Sequence, residues 1–421
     1  MIARWIENNP PGVGPGWAPY PLSLRIVNWI KFYLDGGEEH KPHLESLYLQ
    51  ARWLRSRLEY HLLGNHLFAN LKALLFAGFY FGGPEALEWR KKGLELLNEQ
   101  VREQILPDGA HFELSPMYHC IILEDLLDLV RLEPSLSHLK KQISSMLNWL
   151  KSMTHPDGEI SFFNDATMGI AASPLYLMQE AAKLWCVPKS SENDISILSD
   201  SGFVCINDFN TKLIFDTGKI GPDYIPGHAH ADCLSCEFSL GQERVFVNQG
   251  TSVYGNSSIR LLERKTKAHN TVEVNQQDSS EVWHGFRVAR RARPVNFQFG
   301  RQSSGYLVEA SHDGYTRVVP NLILTRKLEL FPKQLQIVDT LSTRVIQALI
   351  YWHLHPEIKA EQVSDRDFHL ITSKGLRLLF HSEGSCSLTE SWYSSGFGVR
   401  KKSMVIVTAI EGMNNKVLIS W

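Results

Sequence analysis

The sequence predicts an α+β protein in which a helical domain is followed by an antiparallel β-sandwich. Between residues 20 and 186, long segments carry apolar residues at the 3.6-residue spacing of helices. From about residue 200 onward, short β-branched segments bounded by Gly, Asn, Asp or Ser follow one another without a helical pattern between them. Strands that lack intervening helices pair in antiparallel sheets, so the second part of the chain is predicted to be a sandwich.

The helical domain is predicted to span residues 1–190 and the β-sandwich residues 197–421, with the polar segment 187–196 as the linker. The helices are expected after Pro116 and Pro134 and over residues 22–34, 44–63, 66–81 and 84–106. Two Pro-Asp-Gly segments, at 107–109 and 156–158, follow helices and are typical of turns. This pattern indicates stacked helical hairpins with functional loops at one end. A cleft between the two domains is a common place for a ligand.

Bulk composition narrows the function classes. The chain has 421 residues, of which 43% are hydrophobic, and it can bury two cores. Its formal net charge of −2 gives no electrostatic case for nucleic acid or an anionic membrane as partner. No run approaches the roughly 18 apolar residues of a membrane span, and residues 1–12 lack the apolar core of a signal peptide. The six cysteines are scattered and do not form a disulfide framework.

A histidine-rich segment is the strongest local signal of a functional site. His228 and His230 are two positions apart, and in an extended chain such side chains point to the same side. One of them can then transfer a proton while the other binds a metal or orients its neighbour. A lone histidine is more often a structural residue, but here a glycine precedes the pair, and Asn248 and His269 follow downstream. The sequence therefore predicts one site around these residues.

Two loops of the helical domain supply further candidates. Asn65 and His66 stand at the start of the most apolar helix, where Asn65 is either a helix cap or a site residue. Ser115 is suited to cap the helix that begins at Pro116, which places Tyr118 in the first turn, at the loop end. Tyr118 is then either a packed aromatic residue or a proton-transfer group.

Six further residues are expected to contact the substrate. Two aromatic residues lie between prolines and glycines, and they either stack on a sugar or close the helical layer as a structural plug. Glu113 lies in the loop 108–119. Asn164 and Asp165 end an apolar segment, where they either belong to the site or only form a turn. Arg264 belongs to a group of cations at 260–267, and a second group lies at 287–293. The two groups favour an anionic ligand over solvated charge alone. The six residues are Trp17, Tyr20, Glu113, Asn164, Asp165 and Arg264.

Several segments, in order along nearly the whole chain, carry a family resemblance. They are WAPYPLSLRIVNWIK, GNHLFANLKALLFAG, DGAHFELSPMYH, FFNDATMGIA, GHAHADCLSCEFSL and KAHNTVEVNQQDSSE. With these segments the chain resembles the heparinase II/III family of polysaccharide lyases, which also includes oligoalginate lyases. The resemblance implies an incomplete (α/α) toroid followed by an antiparallel β-sandwich. It also implies β-elimination on a uronic-acid residue of an anionic polysaccharide or oligosaccharide.

The resemblance assigns roles to four of the candidates. Asn65, with His66 beside it, would neutralise the uronate carboxylate, because the C5 proton is too weakly acidic while that charge persists. Tyr118 and His228 would be the acid and base, and the sequence leaves open which of them takes the C5 proton. A tyrosine pKa of about 10 must be lowered by positive charge if Tyr118 is the base, whereas histidine titrates near neutrality.

The resemblance also implies a structural zinc ion bound by His230, Asn248 and His269. Asn248 stands where the family has Asp, and an amide oxygen is a poorer, uncharged zinc ligand. Ala69 stands where many relatives have Glu, which removes one carboxylate from the site. Relatives usually carry further residues before the segment around Trp17, so we expect either a toroid that is shortened at its N-terminus or a reading frame that begins late.

Two other classes of function fit some of the residues. A non-catalytic glycan-binding protein would keep the aromatic and basic surface without turnover. A hydrolase with paired carboxylates would use Glu113 and Asp165, but this reading leaves the histidines unexplained. Elimination creates an unsaturated uronate that absorbs ultraviolet light, whereas hydrolysis does not. Heparan-like glycans, alginate and a bacterial polysaccharide with uronic acid all remain candidate substrates.

Overall fold

The computed structural model describes residues 1–188 and 194–421, and it confirms the predicted order of a helical part followed by antiparallel β-sheets. Part of the predicted linker at 187–196 lies outside the described residues, and so does the predicted domain end at residue 190. The α-helices are α1 (Ile2–Asn8), α2 (Pro19–Leu34), α3 (Lys41–Arg55), α4 (Gly64–Tyr80), α5 (Pro84–Gln104), α6 (Pro116–Leu132), α7 (Lys140–Met153), α8 (Pro174–Lys183) and α9 (Ser258–Arg264). Short 3₁₀ helices lie at Pro15–Trp17, Pro134–Leu139 and Thr266–Ala268.

Helix α4 is the centre of the helical part. Its sequence is apolar almost all round, and such a helix is stable in water only when other elements surround it. It packs against α2, α5 and α6. Gly78 allows the close approach to α5, since a Cβ at this position would lie 2.7 Å from the backbone nitrogen of Arg90. The first turn of α4 is thereby held at a fixed place at the edge of the helical part.

Helix α3 is shorter than predicted. The apolar spacing predicts one helix over residues 44–63, but α3 ends at Arg55. A turn then leads into α4, and Leu63, with a φ of 57°, reverses the chain immediately before Gly64. This turn therefore lies directly beside the first turn of α4.

The β part forms three larger sheets and one hairpin. The five-stranded sheet has the order β1-β2-β3-β4-β5, the eight-stranded sheet β14-β15-β16-β19-β12-β11-β10-β9, and the four-stranded sheet β17-β18-β13-β6, while β7 and β8 form the hairpin. The strands are β1 (Ile195–Leu198), β2 (Phe203–Ile206), β3 (Thr211–Asp216), β4 (Cys236–Leu240), β5 (Glu243–Phe246), β6 (Val272–Val274), β7 (Glu281–Trp283), β8 (Arg287–Ala289), β9 (Pro294–Gln302), β10 (Gly305–His312), β11 (Leu324–Phe331), β12 (Gln334–Leu341), β13 (Ala348–His353), β14 (Lys359–Gln362), β15 (Asp367–Ile371), β16 (Arg377–Ser382), β17 (Cys386–Gly396), β18 (Val399–Ala409) and β19 (Asn414–Ser420). All the strand pairs are antiparallel, as predicted.

The five-stranded sheet lies between the helices and the rest of the sandwich. Strands β2, β3 and β4 are buried along their whole length. In β3, Leu213 and Phe215 belong to the core of the sandwich, whereas Ile214 packs in a second cluster with Trp149 of the helical part. Successive residues of a strand point to opposite faces, so both faces of this sheet are covered. The loop between β3 and β4, which carries the histidine pair, consequently lies at the domain boundary.

Two local predictions for the β part are wrong. The segment around His228 is a turn in the loop between β3 and β4 and not an extended strand. Helix α9 lies within the β part, where no helix was expected. Among the helices of the described residues, none is long and apolar enough to cross a bilayer.

Candidate active site

The two histidines of the loop between β3 and β4 meet on one carboxylate. His228 Nδ1 lies 2.9 Å from Asp165 Oδ2, and His230 Nε2 lies 2.8 Å from Asp165 Oδ1. The two histidines serve one site, as expected, but a turn and not a strand brings their rings together. The backbone N–H of Asp165 donates to the His228 carbonyl at 3.0 Å, which ties the two loops to each other.

Asp165 is fully buried and belongs to the protein's own hydrogen-bond network. Arg260 binds both of its carboxylate oxygens, and the Thr251 hydroxyl donates to Oδ1 at 3.1 Å. Burial opposes ionisation, but Arg260 and the hydrogen bonds from His228 and His230 together hold the pKa of Asp165 well below its usual range. Asp165, which was expected to contact substrate, is therefore engaged with the two histidines and Arg260 in this structure. A hydrolase that uses Glu113 and Asp165 as its paired carboxylates loses support, because both side chains are buried.

Tyr118 stands against His228 at the start of α6. Ser115 Oγ accepts the Tyr118 N–H at 3.2 Å, so the predicted helix cap is present. The Tyr118 and His228 rings have centroids 4.0 Å apart. The Tyr118 hydroxyl lies 2.9 Å from the hydroxyl of Tyr254, a residue of the β part. Burial, and after it the charge of Asp165, raises the pKa of Tyr118 well above its usual value, so the phenol is protonated at neutral pH.

Glu113 connects the first turn of α4 to His228. The Asn65 N–H donates to Glu113 Oε1 at 3.2 Å, and Glu113 Oε2 lies 3.2 Å from His228 Nε2. Burial raises the pKa of Glu113. Asn65 is the second residue of α4 and not its cap, since the helix begins at Gly64 after Leu63. The alternative that Asn65 serves as the helix cap does not apply. Glu113 itself is almost fully buried and supports the other two residues.

His66 and Tyr20 form the other edge of this site. The His66 and Tyr20 rings have centroids 4.5 Å apart, and His66 Nδ1 lies 3.2 Å from Glu59 Oε1. The Asn65 side chain lies beside the Tyr20 hydroxyl, and burial, with Asp125 adding to it, raises the pKa of Tyr20 to about 12. Both rings are only half-buried, so Tyr20 and His66 present surface to a ligand.

The Trp17 ring is buried among other aromatic residues. Its side chain is only 4% exposed, its ring packs edge-on against Trp53 at 5.7 Å, and its indole N–H donates to the Asn9 carbonyl. Of the two alternatives for Trp17, sugar stacking and a structural plug, this packing favours the plug. Ala69 lines a cavity of about 320 Å³ together with Tyr20, so the position where relatives carry Glu does lie beside the site.

Arg264 and Asn164 are buried and hold loops in place. Arg264 donates through Nε and Nη2 to the Ala229 carbonyl, at 3.1 and 2.9 Å, and through Nη1 to the His284 carbonyl at 3.1 Å. Asn164 Nδ2 donates to the Leu114 carbonyl, and its Oδ1 accepts the His230 N–H. These two side chains were expected to contact substrate, and in this structure their polar groups are used within the protein.

Asn248, the third residue expected to bind zinc, is engaged within the protein and offers no carboxylate beside the two histidines. His230 Nδ1 and His269 Nε2 lie 3.0 Å apart. Asn248 Oδ1, however, accepts hydrogen bonds from Ser235 Oγ at 2.7 Å and from the Asn270 N–H at 3.2 Å, while Asn248 Nδ2 is buried without a hydrogen-bond partner. An amide nitrogen is not a zinc ligand. Within residues 1–188 and 194–421, no three His, Cys, Asp or Glu side chains are grouped to hold a metal ion.

Three residues of the site were not selected from the sequence. Tyr254 contacts Tyr118, Arg260 holds Asp165, and Glu59 lies against His66. Arg260 belongs to the cation group that was read as a sign of an anionic ligand, but no local pattern distinguished it from its neighbours. Tyr254 lies 136 positions from its partner, and this contact has no counterpart in sequence spacing.

Comparison with known proteins identifies the family. Two family models match: one described as Heparinase II/III N-terminus over residues 38–192, and one described as Heparinase II/III-like, C-terminal, over residues 191–421. Heparin-sulfate lyase of Pedobacter heparinus is 32% identical over 322 residues, covering 66% of this chain and 48% of that protein. Heparin-sulfate lyase of Bacteroides stercoris is 26% identical over 299 residues, covering 64% of this chain and 41% of that protein. The chain spans less than half the length of these relatives.

Solved structures agree on the fold. The crystal structure of Heparinase III aligns with a TM-score of 0.82 at 18% identity, over 99% of this chain and 72% of that one. Heparan sulfate lyase HepC from Pedobacter heparinus aligns with a TM-score of 0.70 at 19% identity, over 99% and 71% of the two chains. The predicted fold, an incomplete toroid of helices followed by an antiparallel β-sandwich, is confirmed. Since the C-terminal model alone matches more than half of the 421 residues, the chain belongs to the heparinase II/III family.

Proposed function

We propose that this protein is a polysaccharide lyase that cleaves a uronic-acid-containing glycosaminoglycan by β-elimination. The observation that carries the proposal is the meeting of three polar residues from distant parts of the chain. Asn65 and His228 both contact Glu113, and Tyr118 packs on the His228 ring. The two relatives that bear the name heparin-sulfate lyase support a glycosaminoglycan as the substrate class.

The first requirement of the reaction is neutralisation of the uronate carboxylate. The C5 proton becomes acidic enough for removal only when the charge that develops on the carboxylate is stabilised. Asn65 supplies an amide at the start of α4, where the helix N-terminus also favours negative charge. His66 lies beside it, half-exposed, with Nδ1 held 3.2 Å from Glu59 Oε1.

His228 is suited to take the C5 proton. Its Nδ1 is held by Asp165, and its Nε2, the nitrogen that would take the proton, lies 3.2 Å from Glu113 Oε2. As the C5–H bond breaks, its electron pair forms the C4=C5 double bond, and the C4–O4 bond breaks with its pair leaving on O4. The imidazolium that results lies between two carboxyl groups, Asp165 and Glu113, and the Asp165 charge stabilises it.

Tyr118 is suited to give a proton to the departing O4. Its raised pKa keeps the phenol protonated at neutral pH, which favours the acid role and opposes the base role. Its position against the His228 ring places acid and base on one side of a bound sugar. Asn65, Tyr118 and His228 together account for each charge and proton of the elimination.

The test is the ultraviolet absorbance of the unsaturated uronate, measured with the whole chain on heparan sulfate, heparin, chondroitin sulfate and alginate. Tyr118→Phe and His228→Ala are each expected to lower kcat by about 10²–10⁴-fold, the usual contribution of an acid or base. Matched controls are Tyr351→Phe, whose hydroxyl contacts Glu273, and His381→Ala, an exposed residue that pairs with Asp367.

Three results would decide against this function. New reducing ends without absorbance would indicate hydrolysis. Glycan binding without any new ends would indicate a binding protein of the same fold. If the Tyr118 and His228 variants produced ultraviolet absorbance as fast as the two control variants, neither residue would take part in the reaction.

A further inference from the structure

A cavity of about 780 Å³ opens beside the proposed catalytic residues. The turn before α4 forms one wall, and the β7–β8 hairpin forms another. Gly227, which lines the cavity, directly precedes His228, and the ring of Phe286 at the hairpin tip lies 6.1 Å from the His228 ring. Ligand sites occupy about 300–1,000 Å³, so the size of this cavity suits part of an oligosaccharide. We call it the hairpin cavity.

Three exposed aromatic side chains line the hairpin cavity. Tyr224 is 54% exposed, Trp283 47% and Phe286 43%. Large apolar rings cost free energy in water, so their grouping in one concave surface indicates a ligand. A pyranose ring presents an apolar C–H face, and an indole such as that of Trp283 is a suitable platform for it.

The hairpin cavity also carries an unpaired positive charge. Arg290 pairs with Glu281, and Arg291 is occupied by the Pro222 and Asp223 carbonyls. Arg287 lies at the cavity wall, its guanidinium 6.0 Å from the Trp283 ring, and it pairs with no carboxylate in the part of the chain that the structure describes. A guanidinium binds carboxylate or sulfate in a bidentate manner.

The hairpin tip is fixed to the catalytic centre by buried groups. Arg260, which binds Asp165, also donates through Nε to the Gly285 carbonyl at 2.9 Å. The Gly285 N–H donates to Asn256 Oδ1 at 2.9 Å. A Cβ at Gly285 would lie 2.8 Å from the Gly255 carbonyl oxygen, so only glycine permits this approach. The distance from His228 to the cavity is therefore set by the fold.

We propose that the hairpin cavity is a subsite for the anionic sugar residue next to the one that reacts. Trp283 stacks on the pyranose ring, and Arg287 binds its carboxylate or sulfate group. This subsite rests on the proposed function for the reacting sugar, but its occupation is a binding event and can be measured without turnover.

The test measures binding by calorimetry in a Tyr118→Phe background, which prevents cleavage during the titration. The probes are a heparan sulfate tetrasaccharide and its chemically desulfated form. Trp283→Ala and Arg287→Gln are each expected to weaken binding of the sulfated probe about tenfold, the scale of one charge-assisted contact or one stacked ring. Trp283→Phe should restore most of the loss, and Arg293→Gln, an exposed arginine outside the cavity, should cause none.

The two probes identify the anionic group. If Arg287 binds sulfate, Arg287→Gln weakens only the sulfated probe; if it binds carboxylate, it weakens both. Equal affinities of the parent, Trp283→Ala and Arg287→Gln proteins would overturn the subsite, as would failure of the parent to bind either probe. Weaker binding by these variants, in a protein whose wild type forms no unsaturated product, would keep the subsite and overturn the lyase reaction.

Discussion

The hydroxyls of Tyr118 and Tyr254 lie 2.9 Å apart, and the two residues come from different domains. The Tyr254 ring is held edge-on by Phe397 at 4.8 Å, and the Arg260 guanidinium lies 5.0 Å from its centroid. A phenol that donates to the Tyr118 oxygen stabilises the negative charge that grows there as Tyr118 gives up its proton. The acid of the proposed reaction is thus completed by a residue of the β part.

Tyr254→Phe is expected to lower kcat by about 10-fold or more, because one hydrogen bond to a developing charge contributes about 1.5–3 kcal/mol. KM and the free energy of unfolding should change little, since the ring contacts with Phe286 and Phe397 are kept. The measurement is steady-state kinetics by ultraviolet absorbance, with Tyr351→Phe as the control. A kcat equal to that of the wild type would show that the hydroxyl of Tyr254 has no part in proton transfer.

Asp165→Asn is expected to destabilise the protein and to abolish turnover. The substitution leaves the buried guanidinium of Arg260 without its charge partner, which costs about 3–5 kcal/mol in the free energy of unfolding. It also removes the carboxylate that holds His228. Urea unfolding measures the first effect, and kinetics on the folded protein at low temperature measures the second.

Asp339→Asn separates these two effects. Asp339 binds Arg326 through two hydrogen bonds of 2.7 and 2.8 Å, and both side chains are buried in the sandwich. We expect a similar loss of stability but wild-type kcat for the folded fraction. Equal kcat values for the Asp165 and Asp339 variants would show that Asp165 contributes only to stability.

Features that depend on neighbouring residues could be predicted from the sequence, whereas features that depend on burial by distant parts of the chain could not. Ser115 caps its helix as predicted, because cap, proline and helix adjoin one another. The burial of Trp17 could not be predicted, since nothing in its own segment shows that Trp5 of α1 and Trp53 of α3 cover it. The burial of Arg264 could not be predicted either, because charged side chains are usually solvated. The carbonyls that satisfy it belong to loops 35 and 20 residues away along the chain.

Asn248→Asp is expected to bind zinc about tenfold or more tightly than the wild type. A carboxylate can keep one oxygen on the Ser235 and Asn270 donors and offer the second, charged oxygen where Nδ2 now has no partner. His230 and His269 already stand 3.0 Å apart, and each donates or accepts a second bond that fixes its ring. Calorimetric titration with zinc measures the change.

Asn415→Asp is the matched control for zinc binding. Asn415 Oδ1 also accepts two hydrogen bonds, from Gly384 and Ser382, and its Nδ2 is also buried without a partner, but Asn415 is not one of the residues expected to bind zinc. This variant should gain no affinity for zinc. Stoichiometric zinc in the wild-type protein, with no tighter binding by Asn248→Asp, would show that Asn248 is an adequate ligand as it stands.

His312→Asn is expected to make the protein less sensitive to acid. Burial, with Arg326 adding to it, lowers the pKa of His312 to about 3, whereas histidine in an unfolded chain has a pKa of about 6.5. Below pH 6.5 the unfolded chain therefore binds a proton that the folded protein does not, and the free energy of unfolding falls as the pH falls. Between pH 7 and pH 5 this residue alone should lower it by about 2 kcal/mol.

In the variant, Asn Oδ1 can take the place of His312 Nδ1, which accepts the Gly314 N–H at 3.0 Å, so the local fold is kept. Urea unfolding at pH 7, 6 and 5 gives the slope for wild type and variant. His138→Asn, at an exposed position, should retain the wild-type slope. The remaining decline in His312→Asn belongs to other buried histidines, such as His119 and His353, whose pKa values burial also lowers to about 3. Parallel slopes for wild type and His312→Asn would mean that His312 is already protonated in the folded protein at pH 5.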